Sequence, residues 1–201
     1  KNTKSFMCKN THTFDIAKQG YVNLLLKQGG KTHGDSKAMI LARKNIQESD
    51  VYKKVSDAII QSVKPYTKKH ILDIGCGVGY YTNEIEQVYH TDIIGIDISK
   101  DAIKEAAKDN KRIQYIVASN NNIPIESKSI DIIINVFSPL YLQEALRVLN
   151  DQVVIVVVSP NRNHLIELKE VIYDDIVEKE LTRNILVDSN IDIVYKKDVT
   201  Y

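Results

Sequence analysis

The chain has 201 residues, enough for one domain with a smaller module attached but too few for two full-sized domains. A hydrophobic fraction of 43% and a charged fraction of 26% exclude an intrinsically disordered protein. The net charge of +1 conceals an asymmetry, because residues 1–70 hold 14 basic and 5 acidic side chains, whereas residues 71–201 hold 13 and 21. This distribution, +9 against −8, predicts a basic module that meets an anionic partner.

The cysteine content and the apolar runs indicate where the protein works. Cys8 and Cys76 are too few for a disulfide framework, which favours a reducing compartment. The longest apolar run, Val153–Val158, is far shorter than the ~20 residues of a membrane helix. No apolar signal segment follows the first residues. We therefore expect a cytoplasmic protein with no membrane contact.

The first part of the chain is short and basic, and its glycine-rich stretch at residues 28–36 predicts a linker. Apolar residues at helical spacing between positions 51 and 63 predict a helix that packs on the first strand. From residue 70 onward, six runs rich in isoleucine and valine predict strands: His70–Ile74, Ile93–Ile96, Ile113–Val117, Ile130–Val136, Val153–Val158 and Ile191–Tyr195. Their nearly continuous apolar content is typical of strands buried on both faces of a parallel sheet.

Segments of helical composition separate these runs, namely Tyr80–Tyr89, Lys100–Asp109, Tyr141–Leu149 and Asn163–Lys179. Ser99 is the predicted N-cap of the second segment, with Asp101 in its first turn. The alternation of strands and helices predicts an open, doubly wound, Rossmann-like α/β sheet.

The strongest chemical signal is the segment Ile71–Tyr80, which reads Ile-Leu-Asp-Ile-Gly-Cys-Gly-Val-Gly-Tyr and joins the first predicted strand to a helix. Its glycines allow a tight turn and let a ligand lie against the backbone. A dinucleotide fingerprint needs glycine or alanine three residues after Gly77, where this chain has Tyr80. With Asp73 two residues before Gly75, the segment instead resembles class I S-adenosylmethionine (SAM) methyltransferases.

Polar residues at two further strand ends support a SAM site. Asp97 ends the second predicted strand, where a carboxylate can accept hydrogen bonds from both ribose hydroxyls. The third strand is followed by a polar pair near the expected adenine position. The predicted cofactor residues are Asp73, Gly75, Cys76, Gly77, Val78, Gly79, Asp97, Ile98, Ser119 and Asn120.

Each of these signals has a plainer interpretation. The loop could be a glycine-rich turn without a ligand, and Asp97 could only cap the following helix. Cys76 is interpreted as a small loop residue rather than a nucleophile, because no basic partner adjoins it in the sequence.

Motifs on both sides of the loop match one family over nearly the whole chain up to about residue 180. They are Cys8-x-x-x-His12, Phe14-Asp15-x-Ala17-Lys18-x-Gly20-Tyr21-Val22-Asn23-Leu24-Leu25, Gly34-Asp35-Ser36, Ala42-Arg43, Tyr80-Tyr81 and Asn163-His164-Leu165-x-Glu167-Leu168-Lys169. Together they resemble the large-subunit (23S) ribosomal RNA guanine-N1 methyltransferases of the RlmA type.

The resemblance implies a zinc-finger-like RNA-recognition module with its linker in residues 1–36 and a SAM-dependent methyltransferase domain in residues 37–201. Cys8 and His12 match the second half of a four-ligand zinc site whose first half is a Cys-x-x-Cys pair. We expect that pair, and with it structural zinc, in the intact protein. The alternative is a packed thiol and a surface imidazole.

The resemblance also implies that Tyr52 and His164 line the SAM pocket. Taken alone, they would be a helix-face aromatic residue and a surface histidine.

The implied reaction transfers the methyl group of SAM to N1 of a guanine in a 23S ribosomal RNA hairpin. Because N1 carries a proton, a general base or stabilisation of the deprotonated guanine is needed, and the base must leave its stack. Asn135 and Ser138 are candidates to hydrogen-bond the guanine, and Phe137 is a candidate to stack on it. The sequence identifies no general base.

The basic N-terminal segment is the expected RNA contact, with phosphates neutralised by Lys1, Lys4, Lys9, Lys18, Lys27, Lys31, Lys37, Arg43 and Lys44. A solvated lysine-rich surface is the plainer interpretation. Two other functions stay open: a SAM methyltransferase of a small molecule or protein with residues 1–50 as a lid, and a non-catalytic RNA-binding protein with a vestigial SAM fold. Homodimer formation also stays open.

Overall fold

A computed structural model describes residues 5–25, 35–66, 69–161, 163–173 and 192–200 of the chain. In these ranges the elements are β1 (Ser5–Met7), β2 (Thr13–Asp15), β3 (Val22–Asn23), α1 (Lys37–Glu48), α2 (Lys53–Val63), β4 (Ile71–Ile74), α3 (Tyr80–Tyr89), β5 (Ile93–Asp97), α4 (Lys100–Asp109), β6 (Gln114–Val117), β7 (Ile130–Val136), α5 (Leu142–Val148), β8 (Leu149–Val158) and α6 (Ile166–Ile172). The first two strands form an antiparallel hairpin, and the other six form one sheet.

The strand order in the sheet is β3-β6-β5-β4-β7-β8, and every pair is parallel. From β4 the chain winds to one side through β5 and β6, and then to the other side through β7 and β8. The carboxyl ends of β4, β5, β6 and β7 therefore meet at one edge. The change of winding direction lies beside β4, which is where open α/β sheets bind ligands. The predicted doubly wound, Rossmann-like sheet is confirmed.

Helices cover both faces of the sheet. Helices α2, α3 and α4 pack on one face and contribute buried side chains such as Ile59 and Ile103. Helix α5 packs on the other face, where Val148 is buried. Neighbouring strand residues alternate between the two layers, so Ile132 belongs to the first cluster and Ile133 to the second. This double burial explains the near-continuous isoleucine and valine content of the strands.

Most predicted elements are confirmed. Helices α3 and α4 span the predicted residues, and Ser99 caps α4 by accepting a 3.3 Å hydrogen bond from the backbone N–H of Ala102. Helix α2 begins at Lys53, two residues later than predicted. None of the helices in the described part of the chain is long and apolar enough to cross a membrane.

The C-terminal predictions need correction. The strand predicted at Ile191–Tyr195 is wrong over residues 192–195, which form no regular structure and whose side chains at 193–195 are exposed. High strand propensity does not make a strand without a paired neighbour. Strand β8 begins at Leu149 rather than Val153, beyond an irregularity in its pairing with β7. Helix α6 begins at Ile166 and ends at Ile172, and residues 174–179 of the predicted helix lie outside the described residues.

Four elements were not predicted, and all belong to the N-terminal half: β1 and β2 of the hairpin, β3 and α1. Helix α1 covers residues that carried no strong apolar period, and Ser36 caps it by accepting a 3.3 Å hydrogen bond from the N–H of Met39. Strand β3 adds to the edge of the main sheet beside β6, with Val22 opposite Ile116. Most of the predicted linker, residues 28–34, lies outside the described residues.

A loop takes the place of a helix between β6 and β7. Arg147 of α5 donates to the carbonyl oxygens of Ile123 and Ile125 at 2.7 and 2.9 Å, and Glu144 accepts from the N–H of Ile123 at 2.8 Å. These bonds satisfy backbone groups that a helix would have paired internally. They also fix the loop that follows the polar residues at the end of β6.

The position of β3 makes the N-terminal segment part of the sheet. Val22 is only 2% exposed, so truncation to alanine should leave a cavity beside β6. We expect Val22→Ala to lower the unfolding free energy of the domain that contains the six-stranded sheet by about 2 kcal/mol, measured by urea denaturation. The control is Val88→Ala on α3, where the side chain is 52% exposed. Equal stability of both variants would show that residues 1–36 fold apart from the sheet.

Candidate cofactor and substrate site

The loop after β4 lies tightly against its neighbours. The N–H groups of Gly75 and Cys76 both donate to the carbonyl oxygen of Ile96, at 2.8 and 3.0 Å. Gly75, Gly77 and Gly79 all have positive φ angles, of +76°, +55° and +79°. This left-handed backbone is the reason for glycine at these positions. The loop therefore turns from strand to helix with its backbone facing the carboxyl edge of the sheet.

The three loop glycines meet different surroundings. A Cβ at Gly75 would come within 2.0 Å of the Ser138 hydroxyl oxygen, and one at Gly79 within 2.4 Å of the Tyr115 hydroxyl oxygen. A Cβ at Gly77 would meet nothing within 4 Å. The space against the Gly77 backbone is therefore open, and it is the part of the loop where a ligand can lie against bare main chain.

Asp97 holds the loop and faces the same edge. Its Oδ2 accepts from the N–H of Gly77 at 3.0 Å, and its Oδ1 accepts from the N–H of Ser99 at 2.7 Å. The cap of α4 is Ser99, so Asp97 is not merely a helix cap. Burial raises the pKa of the Asp97 carboxyl, while the two backbone N–H groups and the charge of Arg43 lower it. The carboxylate stands beside the open backbone of Gly77, which fits the predicted ribose contact.

Asp73 is buried behind the glycine loop, where a ligand in front of the loop would not touch it directly. Its side chain is 2% exposed, and Thr82 donates a 2.5 Å hydrogen bond to its Oδ2. Burial raises the pKa of Asp73 to about 7; the Thr82 hydrogen bond lowers it and the nearby charge of Asp97 raises it. Asp73 therefore lies behind the loop and in contact with the first turn of α3. A cationic ligand in front of the loop would favour its charged form.

Cys76 and Val78 line the inner side of the loop. Burial raises the pKa of the Cys76 thiol well above its usual range, so it is a poor nucleophile, as the sequence indicated. Val78 is buried with Ile40 of α1 and Ala102 of α4. Helix α1 thus packs on the glycine loop, a contact that the sequence did not predict. The N-cap at Ser36 was the one local signal for this helix.

Helix α1 is also tied to the cofactor side of the sheet by charge. Lys44 forms a 2.6 Å ion pair with Asp109 at the end of α4, and Arg43 forms one with Asp35 at the same distance. Thus two of the predicted phosphate contacts pair with carboxylates of the protein itself. Lys9 does the same, at 2.5 Å from Glu126. Of the predicted basic residues, Lys18 and Lys37 are described and form no ion pair within the described part of the chain.

The predicted adenine side lies at the ends of β5 and β6. Ile98 follows Asp97 and is 38% exposed, so it offers an apolar surface beside the carboxylate. Ser119 donates to Asn121 Oδ1 at 2.6 Å, and Asn120 donates from its Nδ2 to the carbonyl oxygen of Pro139 at 2.7 Å. The Asn120 bond joins the loop after β6 to the loop after β7.

The predicted guanine contacts differ in how far their side chains are exposed to solvent. Asn135 is 1% exposed, and its Nδ2 donates to the carbonyl oxygen of Ile74 at 3.0 Å, which ties the ends of β7 and β4 together. Ser138 packs over Gly75. Phe137 is 40% exposed, and its φ of 52° is left-handed, which is unusual for a bulky residue. Its strained backbone presents the ring at the edge, as is common at functional sites.

The side chain of Phe137 contacts two other aromatic rings, which come from distant parts of the chain. The Tyr52 ring is 6.1 Å away at an interplanar angle of 63°, and the His164 ring is 5.5 Å away at 31°. Tyr52 precedes α2, and His164 lies in the turn before α6, where its N–H donates to the carbonyl oxygen of Asn161 at 2.9 Å. Burial and the charge of Lys169 lower the pKa of His164, which favours the neutral imidazole. Tyr52, Phe137 and His164 are called the aromatic cluster below.

The Cys8-x-x-x-His12 motif occupies the turn of the β1–β2 hairpin. The Cys8 N–H donates to the carbonyl oxygen of His12 at 3.0 Å, and Cys8 Sγ lies 3.5 Å from His12 Nδ1. Two ligands of one tetrahedral zinc ion, a thiolate and an imidazole, are about 3.6 Å apart. The pair therefore has the separation of half a zinc site. No group of three or more metal-binding side chains occurs in the residues that the structure describes.

Comparison with known proteins identifies both parts of the chain. The family model described as "Methyltransferase domain" matches residues 66–199. The chain belongs to this methyltransferase domain family. A second model, described as "RlmA, N-terminal", matches residues 1–30 and includes the hairpin motif.

Relatives and solved structures agree with this assignment. A Bacillus subtilis protein assigned as a 23S rRNA (guanine-N1) methyltransferase is 32% identical over 86% of this chain and 64% of its own length. The 23S rRNA (guanine(748)-N1)-methyltransferase of Streptomyces fradiae is 30% identical over 82% of this chain and 61% of its own length. The chain thus spans under two thirds of these relatives. The predicted resemblance to the 23S rRNA guanine-N1 methyltransferases is confirmed.

The fold has a solved counterpart in a Methanococcus maripaludis protein assigned as a SAM-dependent methyltransferase. The TM-score is 0.52 at 22% identity, over 71% of this chain and 74% of that one. The methyltransferase domain therefore has the class I SAM methyltransferase fold.

The glycine loop gives a paired test of cofactor binding. We expect Gly77→Ala to cost roughly 1–2 kcal/mol of stability through its left-handed backbone, yet to remain folded, because its Cβ meets open space. Its affinity for S-adenosylhomocysteine, measured by calorimetry, should fall by at least tenfold because the methyl group occupies the ligand space. Gly79→Ala should instead unfold more easily, because its Cβ clashes with Tyr115. Unchanged affinity in the Gly77 variant would contradict this placement.

The buried carboxyl of Asp73 predicts a pH-dependent stability. Because its folded pKa of about 7 exceeds the unfolded value near 3.9, the native state holds an extra proton between these pH values and loses stability as pH rises through them. Replacing Asp73 with asparagine removes this loss. We expect the unfolding free energy of D73N relative to wild type to increase by a few kcal/mol between pH 5 and pH 8.

The control for Asp73 is Asp192→Asn, an exposed residue that forms no ion pair within the described part of the chain. The stability difference of D73N should grow with pH more steeply than that of this control. A D73N difference that stays constant between pH 5 and pH 8 would contradict the raised pKa of Asp73.

Proposed function

We propose that this protein is a SAM-dependent methyltransferase that methylates N1 of a guanine in 23S ribosomal RNA. The supporting observation is the aromatic cluster, which stands at the same sheet edge as the glycine loop and includes the exposed, left-handed Phe137. An exposed aromatic face suits an unstacked base, since base–aromatic stacking is how proteins hold single bases. The relatives named above carry this activity in their names.

The residues present fit SAM. The open backbone at Gly77 accepts a ligand at close range, Asp97 stands where ribose hydroxyls can donate to a carboxylate, and Ile98 offers an apolar surface for adenine. Asp73 behind the loop and Asp97 beside Gly77 form an acidic region that favours a cation. SAM supplies an electrophilic methyl group on a positively charged sulfur. The proposed cofactor residues are the ten predicted around the loop, together with Tyr52 and His164.

The chain's own contribution to the transfer is alignment. Methyl transfer is an in-line displacement, so a target nitrogen held in line at close range reacts far faster than one in solution. Phe137 would stack on the guanine and set its plane, while Tyr52 and His164 contact the Phe137 ring. Asn135 and Ser138 would hold the backbone of the Phe137 loop to β4 and to Gly75. Their direct contact with the guanine edge stays a prediction.

The hairpin turn supports structural zinc. The 3.5 Å separation of Cys8 Sγ and His12 Nδ1 fits two tetrahedral ligands, and the other two would come from a Cys-x-x-Cys pair in the intact protein. A zinc ion there would fix the hairpin that carries Lys9 and precedes Lys18. We propose that this module, residues 1–36, binds the RNA hairpin through its phosphates and that the protein acts in the cytoplasm.

The test is transfer of labelled methyl groups from SAM to three acceptors: 23S ribosomal RNA, ribosomal protein and a small-molecule extract. We expect label in the RNA alone, recovered as 1-methylguanosine after digestion to nucleosides. RNA affinity should fall steeply between 50 and 200 mM salt, because phosphate contacts release counterions. Label in protein or small molecules would favour the alternative function, a SAM methyltransferase of a small molecule or protein with residues 1–50 as a lid. RNA binding without any methyl transfer would indicate a vestigial fold.

A further inference from the structure

We infer that Asn120 is a positioning residue for the target base, because its side chain holds the turn that carries Phe137. This inference rests on the proposed function and gives Asn120 a role besides the predicted cofactor contact. The Nδ2 of Asn120 donates to the carbonyl oxygen of Pro139 at 2.7 Å, across 19 residues of sequence. The hydrogen bond joins the loop after β6, on the cofactor side, to the loop after β7, where Phe137 lies.

The backbone of Phe137 needs such support. Its φ of 52° is left-handed, a conformation that a bulky residue keeps only where the surrounding structure holds it. On the side of β7, the N–H of Phe137 donates to the carbonyl oxygen of Val158 at 2.9 Å. Two residues later, Asn120 holds the carbonyl oxygen of Pro139. The turn is therefore bonded to its neighbours both before and after its left-handed residue.

The loop that carries Asn120 is itself fixed, so Asn120 can hold the turn rather than follow its movement. The loop begins at Ala118, whose N–H donates to the carbonyl oxygen of Asp97 at 3.0 Å. Three residues after Asn120, the N–H of Ile123 donates to Glu144 of α5 at 2.8 Å. The loop is thus anchored to the end of β5 on one side and to α5 on the other. Asn120 connects the strand end with the predicted ribose contact to the turn after β7.

The chemistry of the amide allows both a cofactor contact and the bond to Pro139. A carbonyl oxygen accepts and does not donate, so the nitrogen of the Asn120 amide must face Pro139. The amide oxygen is not needed for this bond and can accept from the amino group of adenine. Aspartate has nearly the shape of asparagine but places a second oxygen where the nitrogen was. Asn120→Asp therefore keeps an acceptor, removes the donor and places a negative charge against the Pro139 carbonyl oxygen.

The test compares Asn120→Asp with Asn121→Asp in the full-length protein. Asn121 is exposed, and its Oδ1 accepts from the Ser119 hydroxyl at 2.6 Å, a bond that aspartate preserves. The control thus adds the same charge one residue away without breaking this bond. A second variant, Asn120→Ala, removes the donor without adding a charge.

Three quantities are measured for each protein. The first is the affinity for S-adenosylhomocysteine, determined by calorimetry, which also shows that the variant is folded. The second is the single-turnover rate of methyl transfer to 23S ribosomal RNA at saturating SAM and RNA. The third is the fluorine NMR spectrum of protein that carries 4-fluorophenylalanine in place of Phe137, which reports on the turn without any reaction.

We expect N120D to bind S-adenosylhomocysteine within about threefold of wild type and to methylate roughly 10–10²-fold more slowly, because a base displaced by about 1 Å reacts that much more slowly. The fluorine signal should be a single line in wild type. It should shift or broaden in N120D, since the surroundings of the fluorinated ring include the rings of Tyr52 and His164. N120A should change the rate and the signal in the same direction, and N121D should match wild type in all three measurements.

Two results would overturn the positioning role. A fluorine signal that is unchanged in both N120D and N120A would show that the turn does not depend on Asn120. A fall in S-adenosylhomocysteine affinity as large as the fall in rate would make Asn120 a cofactor contact only. Wild-type protein that transfers no methyl group to RNA would instead overturn the proposed function, and the fluorine spectra would still decide whether Asn120 holds the turn.

Discussion

The loop after β4 lies between Ser138 on one side and Tyr115 on the other, at distances that leave no room for a Cβ at Gly75 or Gly79. Gly95 of β5 is similarly constrained, since a Cβ there would lie 2.8 Å from the Tyr115 ring. Tyr115 is fully buried, and its hydroxyl donates to Asn83 Oδ1 at 3.2 Å in the first turns of α3. One buried aromatic side chain thus fixes how closely the loop, β5 and α3 approach each other. This close packing brings the backbone of Gly77 and the carboxylate of Asp97 into contact.

The same packing concentrates acidic groups around the loop. Asp73 and Asp97 are both held in surroundings that disfavour their charged forms, and neither is neutralised by a buried cation in the described residues. Burying these two carboxyl groups is unfavourable when no ligand is bound, and a cationic ligand at the loop would make it less so. Burial of these carboxyl groups lowers the stability of the protein without a ligand, and the same burial strengthens their attraction to a cationic ligand. Both carboxyls belong to the acidic part of the chain, which has a net charge of −8 over residues 71–201.

Local sequence patterns predicted the central part of the fold well. The runs at β4, β5 and β7 are almost continuously apolar and are buried on both faces, and Ser99 is a strong capping residue, so the elements there formed as predicted. The patterns were insufficient where pairing between distant segments decides the structure. Two residues of β3 become a strand only because β6 offers an open edge. Residues 192–195, with high strand propensity, lack such a partner among the described residues.

In the candidate site, too, local sequence predicted some features, whereas others depend on contacts between distant segments. Spacing alone located the glycine loop and Asp97, because a strand, a turn and a second strand end are enough to bring them together. The aromatic cluster joins residues 52, 137 and 164, and only the tertiary structure shows that their rings meet. Nor does any local pattern reveal that Asn135 points inward to β4 while Phe137, two residues later, adopts a left-handed backbone at the edge.

The most direct measurement is a crystal structure of the full-length protein with S-adenosylhomocysteine. The predicted result has the ribose hydroxyls on the Asp97 carboxylate, the ligand against the backbone of Gly77, and the sulfur atom directed toward Phe137. An adenosyl group bound away from Asp97, or a sulfur atom that faces away from the aromatic cluster, would contradict the assignment of one shared site for cofactor and target base.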